Sequence, residues 1–266
     1  MNSSTERDPV CTYLEWDSQF FQRRIARLNR HRLDHPTMAE CAHWCRQHRI
    51  DCLYFLADSN DLETPRLAEA NDFHLTDIRM TLEHTVARGG TGVSPVQGGA
   101  RDGRLSAEGA FIPGNFGGLR HAREDDLRAL RTIARTSHHD TRFYFDGHFE
   151  QEKCDLLYAT WIENSFRGFA QAVLVAEADG EPAAYLTCHL NDQASQIGLV
   201  GVGEGHRGKG LATKLVRAFL SWSREQGAPR ALVVTQGRNL PAQRLYQRNG
   251  FITSSMDLWY HRWFAP

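Results

Sequence analysis

The chain has 266 residues, of which 41% are hydrophobic, 24% charged and 10% aromatic. At about 100–200 residues per domain, that is one large domain or two small ones, and the composition excludes a disordered, collagen-like or disulfide-stapled chain. Thirty-one basic against 32 acidic side chains give a formal charge of −1, so nothing global draws the protein to nucleic acid or an anionic membrane. Any polyanion must meet positive charge gathered locally.

In chain order, residues 1–10 are polar and mixed in charge, without the basic-then-apolar plan of a secretory leader. No run approaches the ~18 apolar residues of a membrane span. The six cysteines include no C-x-x-C pair, which predicts a reduced, cytoplasmic protein. Residues 11–16 and 24–29 read as strands. Residues 37–48 read as a helix, with Thr37 as cap and Glu40 three residues on, a capping-box spacing. Cys41, Cys45 and His48 share one face of that helix but His43 does not. Buried core cysteines, and no metal, are the expectation. An apolar strand at 51–57, a helix at 64–71 opened by Pro65, and a strand at 73–83 follow.

Residues 86–109 hold seven glycines and one proline. Such a stretch buries too little surface to offset its conformational entropy. It predicts a glycine-rich linker between a small α/β domain at 1–85 and a larger domain at 110–266.

Downstream, 118–122 reads as a strand, and Asp125 and Asp126 open a helix at 127–134, where acids suit the positive helix end. Residues 142–149 read as an aromatic loop, and 151–167 as a helix with Trp161 and Ile162 on its apolar side. Strands at 172–178 and 182–190 flank Asp179-Gly180, a hairpin signal. A strand at 195–202 leads to a helix at 208–226, whose Leu211, Leu215, Phe219 and Trp222 recur at helical spacing. A strand at 231–236, a helix at 240–249 opened by Pro241 and closed by Gly250, and strand material at 254–264 complete the chain.

The stretch Val200-Gly-Val-Gly-Glu-Gly-His-Arg-Gly-Lys-Gly-Leu-Ala212 carries the chemistry. It runs from an apolar strand through a basic glycine turn into an amphipathic helix. Free amides and a helix dipole at such a turn favour a phosphate, and glycine lets the backbone approach it. A P-loop is excluded because Gly210 follows Lys209 where Ser or Thr is needed. Gly203, Gly205 and Gly208 meet the dinucleotide spacing G-x-G-x-x-G, but too late in the chain for a dinucleotide domain.

These residues resemble the GNAT superfamily of acetyl-CoA-dependent N-acetyltransferases. The family motif [QR]-x-x-G-x-[GA] is met by Arg207-Gly-Lys-Gly210-Leu-Ala212. The later block N-x-x-A-x-x-x-Y-x-x-x-G-F is met by Asn239, Ala242, Tyr246, Gly250 and Phe251. The resemblance covers roughly residues 111–264. It implies an α/β (α+β) GNAT fold with a mixed central sheet flanked by helices, and acetyl-CoA as co-substrate. By the same resemblance, Val200, Gly201 and Val202 would meet the acetyl group and pantetheine arm. The amides of Arg207, Gly208, Lys209, Gly210, Leu211 and Ala212 would hold the pyrophosphate. Asn239 and Ala242 would flank the cofactor, and Tyr246 would protonate the leaving thiolate. For the amine proton, Glu163, Asp140, His138, His139, Asp146 and water stand as equal alternatives.

Leu14-Glu-Trp-Asp-Ser-Gln-Phe-Phe21 further resembles the W-D-S-x-F-F segment of the TDP-fucosamine acetyltransferase type, as do Thr141-Arg142-Phe143, Trp161-Ile-Glu-Asn164 and Thr235-Gln236. That subgroup pairs a smaller, cofactor-free, GNAT-like amino-terminal α/β domain with the catalytic one, and acetylates the amino group of a nucleotide-linked sugar. The glycine-rich linker and Phe143-Tyr-Phe-Asp146 depart from it. Arg142, Phe143, Tyr144, Asp146 and Glu163 are the tentative substrate contacts; equally, the aromatics anchor the loop in the core. The expected partner is a small-molecule amine, with neither nucleic acid nor membrane, and a homodimer is compatible. Acetylation of a peptide amine and a non-catalytic acyl-CoA sensor are the alternatives.

Overall fold

The computed structural model describes residues 9–86 and 117–264. The opening eight residues and nearly all of the glycine-rich stretch at 86–109 lie outside the described residues. Ten strands are described: β1 (Cys11–Tyr13), β2 (Ile25–Leu28), β3 (Cys52–Asp58), β4 (His74–Thr85), β5 (Leu119–His121), β6 (Ala172–Ala178), β7 (Glu181–Leu190), β8 (Ser195–Val202), β9 (Arg230–Gln236) and β10 (Ile252–Trp263). They form one mixed sheet in the order β1-β2-β3-β10-β4-β9-β8-β7-β6-β5. The last strand, β10, lies between β3 and β4 and is antiparallel to both. β4 also pairs antiparallel with β9. The described residues on either side of the glycine-rich stretch, 9–86 and 117–264, are thus joined through a common sheet.

Successive strand side chains point to opposite faces. In β6, Val173 and Val175 enter one core while Leu174 and Ala176 enter another. In β3, Cys52 and Tyr54 face one way, and Leu53, Phe55 and Ala57 the other. Helices cover both faces. One layer holds α1 (Glu15–Phe21), α4 (Leu127–Ser137), α5 (Arg142–Phe145) and α6 (Gln151–Asn164). α2 (His35–Gln47) and α3 (Glu63–Glu69) pack on the opposite face of the amino-terminal strands. α7 (Leu211–Glu225) and α8 (Leu240–Arg248) do so on the later ones. In α7 the expected stripe is inside: Leu211, Leu215, Phe219 and Trp222 are all buried.

Several local expectations are corrected. Residues 11–16 are not all strand: β1 ends at Tyr13 and α1 starts at Glu15. Trp16 and Phe20 are one turn apart, and Phe21 packs on Phe143 and Phe149 with centroids 5.5 and 4.5 Å away. The next helix starts earlier than expected, because Asp34 rather than Thr37 is the cap; its carboxylate accepts from the Thr37 amide at 2.7 Å. The aromatic stretch at 142–149 opens with a helical turn, α5.

β5 is fastened by a buried ion pair. Asp126 accepts from Arg120 Nη1 at 2.6 Å, Arg120 Nη2 at 2.9 Å and the Arg123 amide at 2.6 Å. Burial alone would raise the Asp126 carboxyl, but these bonds outweigh it and hold the group below its ordinary 3.8. A carboxylate depressed in the folded state stabilises above its unfolded pKa and loses that contribution as pH falls through its folded value. Asp126→Ala is therefore expected to lower stability at pH 7 by about 1–3 kcal/mol, because it removes three hydrogen bonds and leaves Arg120 paired with Glu177 alone. Urea unfolding should show the wild-type advantage shrinking as pH falls below 3.8; an equal advantage at pH 3 and pH 7 would contradict the assignment.

Candidate active site

The site begins with one extra residue. Between the pairs Leu186↔Val200 and Cys188↔Ile197, β8 spends two residues, Gly198 and Leu199, where β7 spends one, Thr187. This is a β-bulge, which bends the strand that carries it. The Leu199 amide donates to Thr187 Oγ1 at 2.8 Å instead of to backbone. A side chain at Gly198 would overlap the His189 ring and the Thr187 hydroxyl.

On its other edge β8 runs parallel to β9, but only through Ser195↔Ala231, Gln196↔Leu232 and Ile197↔Val233. Beyond that, β9 stays with β4 through Gln236↔Arg79, while β8 stays with β7 through Val202↔Ala184. The strands part at their carboxyl ends, where open α/β sheets bind ligands. The parting opens into a cavity of about 820 Å³, lined by Gly198, Leu199 and Val200 on one side and Val234, Thr235 and Gln236 on the other.

The glycine turn closes one end. Gly208 and Gly210 have φ of +75° and +79° with open space around them, so conformation rather than crowding requires glycine there. No side chain caps α7, so its first-turn amides remain available to an anion. Arg207 itself is engaged: Nη2 donates to the Thr136 carbonyl at 2.9 Å, tying the turn to α4. Arg244 and Arg248, one turn apart on α8, add charge to the lining. They fall at variable positions of the Asn239–Phe251 motif, which carries no signal for them.

Most of the expected cofactor residues converge here. Val200, Val202, Arg207, Gly208, Gly210, Leu211, Ala212, Asn239, Ala242 and Tyr246 line the cavity. Gly201 and Lys209 do not: Gly201 faces the Tyr185 ring, and Lys209 is exposed. Asn239 caps α8, accepting from the Ala242 amide at 3.1 Å. Tyr246 is 5% exposed, and burial pushes its phenol well above the ordinary value of 10.

The tentative substrate residues lie elsewhere, none of them on this cavity. Arg142 stacks on Tyr54, Phe143 and Trp259, each at 4.3 Å, and donates to His261 Nε2 at 2.8 Å. His261 Nδ1 then donates to Asp146, which also accepts from Trp263 Nε1 at 3.0 Å and His148 Nδ1 at 2.8 Å. Burial would raise the Asp146 carboxyl, but these bonds, that of His261 foremost, leave it below 3.8. Phe143 is core. Tyr144 donates to Asp155 at 2.6 Å, and Glu163 accepts from Arg131 at 2.8 Å. The anchoring alternative holds for Phe143 and Phe149 but not for Phe145, which is exposed; α5 is bolted to β10 and α6. In its place the cavity takes Thr136, His138, Tyr158 and Trp161, and Trp16 of α1 approaches Trp161 at 6.4 Å. Cys11, Cys41 and Cys45 bring their sulfurs within 4.8 Å of one another, inside the amino-terminal core. No helix among the described residues is long and apolar enough to cross a membrane.

Comparison with known proteins agrees with this geometry. Residues 127–251 match the Acetyltransferase (GNAT) family. The spore coat polysaccharide biosynthesis protein SpsD of Bacillus subtilis is 29% identical over 138 residues, 52% of this chain and 48% of its own length. The chain therefore spans about half the length of that relative. The GCN5-related N-acetyltransferase of Sphaerobacter thermophilus superposes with a TM-score of 0.61 at 13% identity, covering 96% of this chain and 76% of the other. A tandem GNAT protein from the clavulanic acid biosynthesis pathway gives 0.55 at 17% identity, covering 91% and 76%. At such identities the two structures speak for the fold alone. Residues 127–251 are a GNAT-family acetyltransferase domain.

Gly198→Ala tests the strand parting directly. The added methyl must displace Thr187 or His189, and such overpacking costs about 1–3 kcal/mol. The unfolding free energy should fall by that amount and the urea midpoint with it, and cavity ligands should weaken. An unchanged midpoint would show that the bulge tolerates a side chain.

Proposed function

We propose that the protein is an acetyl-CoA-dependent N-acetyltransferase that transfers the acetyl group directly to the primary amine of a small molecule, most naturally a nucleotide-linked or related amino sugar. The observation that carries this reading is the parting of β8 from β9, with Tyr246 and the uncapped start of α7 on the same cavity. The residues fit the cofactor. A strand edge without a protein partner suits an amide-rich arm, and the α7 amides suit a pyrophosphate. Arg244 and Arg248 suit a further phosphate.

Acetyl-CoA, when bound, supplies an activated acyl carbon on a thioester. The chain supplies the rest. The edge at 198–202 pairs with the arm and polarises the carbonyl through a backbone N–H. Tyr246, kept protonated by burial, donates its proton to the sulfur as the C–N bond forms and the C–S bond breaks, and the proton lost by the amine passes through water, which returns one to the phenolate. The same dry surroundings that raise the phenol also raise the thiol, which keeps the two within range of proton transfer.

The sugar assignment rests on SpsD, named for polysaccharide biosynthesis, and on the aromatic lining by Tyr158 and Trp161, a surface suited to the apolar face of a sugar ring. The segment at 1–85 serves in this proposal as the cofactor-free domain. Its contribution to the site is α1, whose Trp16 meets Trp161.

A thiol-release assay against amino sugars, nucleotide-linked amino sugars, polyamines and peptides tests the reading. Turnover is expected with the sugars; turnover restricted to peptides would overturn the substrate class. Tyr246→Phe is expected to lower kcat about 100-fold, the lower end for general acid catalysis. Acetyl-CoA Kd, read by calorimetry, should stay within about twofold. An undiminished kcat would remove Tyr246 from the proton step.

A further inference from the structure

Of the side chains named above for the amine proton, Asp146 and Glu163 are held by other partners away from the cavity, which leaves His138, His139 and Asp140 on its lining. His139 and Asp140 are exposed. His138 is built into the wall. It follows the last residue of α4 and stacks on Tyr158 of α6, with ring centroids 4.5 Å apart and planes 17° apart. Its Nε2 lies 2.9 Å from the hydroxyl of Tyr185 on β7. Tyr185 is fully buried, with its ring packed into the space that a side chain at position 201 would occupy.

The direction of that hydrogen bond follows from accounting for protons. Burial keeps the Tyr185 phenol protonated. No other hydrogen-bond partner of its hydroxyl is found among the described residues. Were the imidazole the donor, the phenol proton would have nowhere to go in a dry site, and an unsatisfied buried donor carries its full desolvation cost. Tyr185 therefore donates to Nε2. A neutral imidazole with Nε2 accepting carries its proton on Nδ1. Nδ1 has no protein partner among the described residues, yet is not among the buried atoms left unsatisfied, so it keeps some exposure on a residue that lines the cavity.

We propose that His138, locked by Tyr185 as the neutral Nδ1–H tautomer, is a hydrogen-bond donor that positions the acceptor molecule, and not the base that takes its proton. Its partner is an oxygen beside the reacting amine, such as a sugar hydroxyl. The groups facing it are Tyr158, Tyr185 and its neighbour His139, and no carboxylate is hydrogen-bonded to it among the described residues. Burial first, and then His139, pull its pKa down to about 4. This role rests on the acyl-transfer reading, but the tautomer does not.

The test has two arms. Full-length protein labelled with ¹⁵N-histidine is followed by long-range ¹H–¹⁵N spectra from pH 5 to 8, with the His138 signals assigned by their loss in His138→Asn. One Nδ1–H tautomer, unchanged throughout, is expected, and Tyr185→Phe should release it to a mixture. An Nε2–H tautomer in the wild type, or a titration with a midpoint between pH 6 and 7, would overturn the proposal. The spectra decide this even if no amine is acetylated, a result that would count against the acyl-transfer reading alone. The second arm is kinetic. His138→Ala should raise the acceptor KM about tenfold, the worth of one hydrogen bond to a polar partner, with acetyl-CoA Kd unchanged. His138→Asn, which restores a donor near Nδ1, should recover most of that loss. A collapse of kcat by 100-fold in both variants, with KM unmoved, is the signature of a lost base and would contradict the assignment.

Discussion

The structure turns on the parting of two parallel strands. β8 runs alongside β9 only as far as Ile197↔Val233 and then leaves it. The bulge at Gly198 and Leu199 bends β8 at that point, while β9 stays paired with β4 as far as Gln236. A strand edge buried without partners is costly. Here the edge opens on a cavity, and its amides and carbonyls stay available to a ligand that pairs like a strand. The start of α7 and the side of α8 line the same cavity, so that the uncapped amides of α7 and Tyr246 share one space.

The amino-terminal segment does more than accompany this arrangement. β4 pairs with the whole length of β9, and β10, from the far end of the chain, joins β4 to β3. On the helical layer, α1 brings Phe21 into the aromatic core of α5 and α6 and leaves Trp16 beside Trp161. Loosening the segment would therefore disturb the sheet and the cavity rim together. Electrostatics is divided in the same way. Arg207 donates to the Thr136 carbonyl and keeps its charge beside the exposed Lys209, while Arg244 and Arg248 line the cavity with the uncapped amides of α7. A nearly neutral protein can in this way hold a highly charged ligand.

What was legible in the sequence was what repeats or what glycine dictates. The strand at 195–202, the stripe Leu211, Leu215, Phe219, Trp222, and the turn at 207–210 all stand where periodicity and the motif put them. The failures have a common cause. Phe143, Asp146 and Glu163 are chemically apt for a substrate, but residue type does not reveal that a neighbour has already claimed them: Trp263 and His261 for Asp146, Arg131 for Glu163. The helix at Glu15–Phe21 was hidden by its shortness and by the β-forming aromatics Trp16, Phe20 and Phe21. The bulge at Gly198 left no sequence signal beyond a glycine inside a strand, which is itself the usual mark of one. The pairing of β10 between β3 and β4 joins residues nearly 200 positions apart, and no local pattern encodes it.

Hydrogen exchange with and without coenzyme A tests the central claim most directly, because it reads the amides that the strand parting leaves free. Added coenzyme A is predicted to slow exchange at residues 198–202 and at the first turn of α7, with α2 and α3 unchanged. Protection absent from both of those segments, or found only elsewhere on the sheet, would contradict the account.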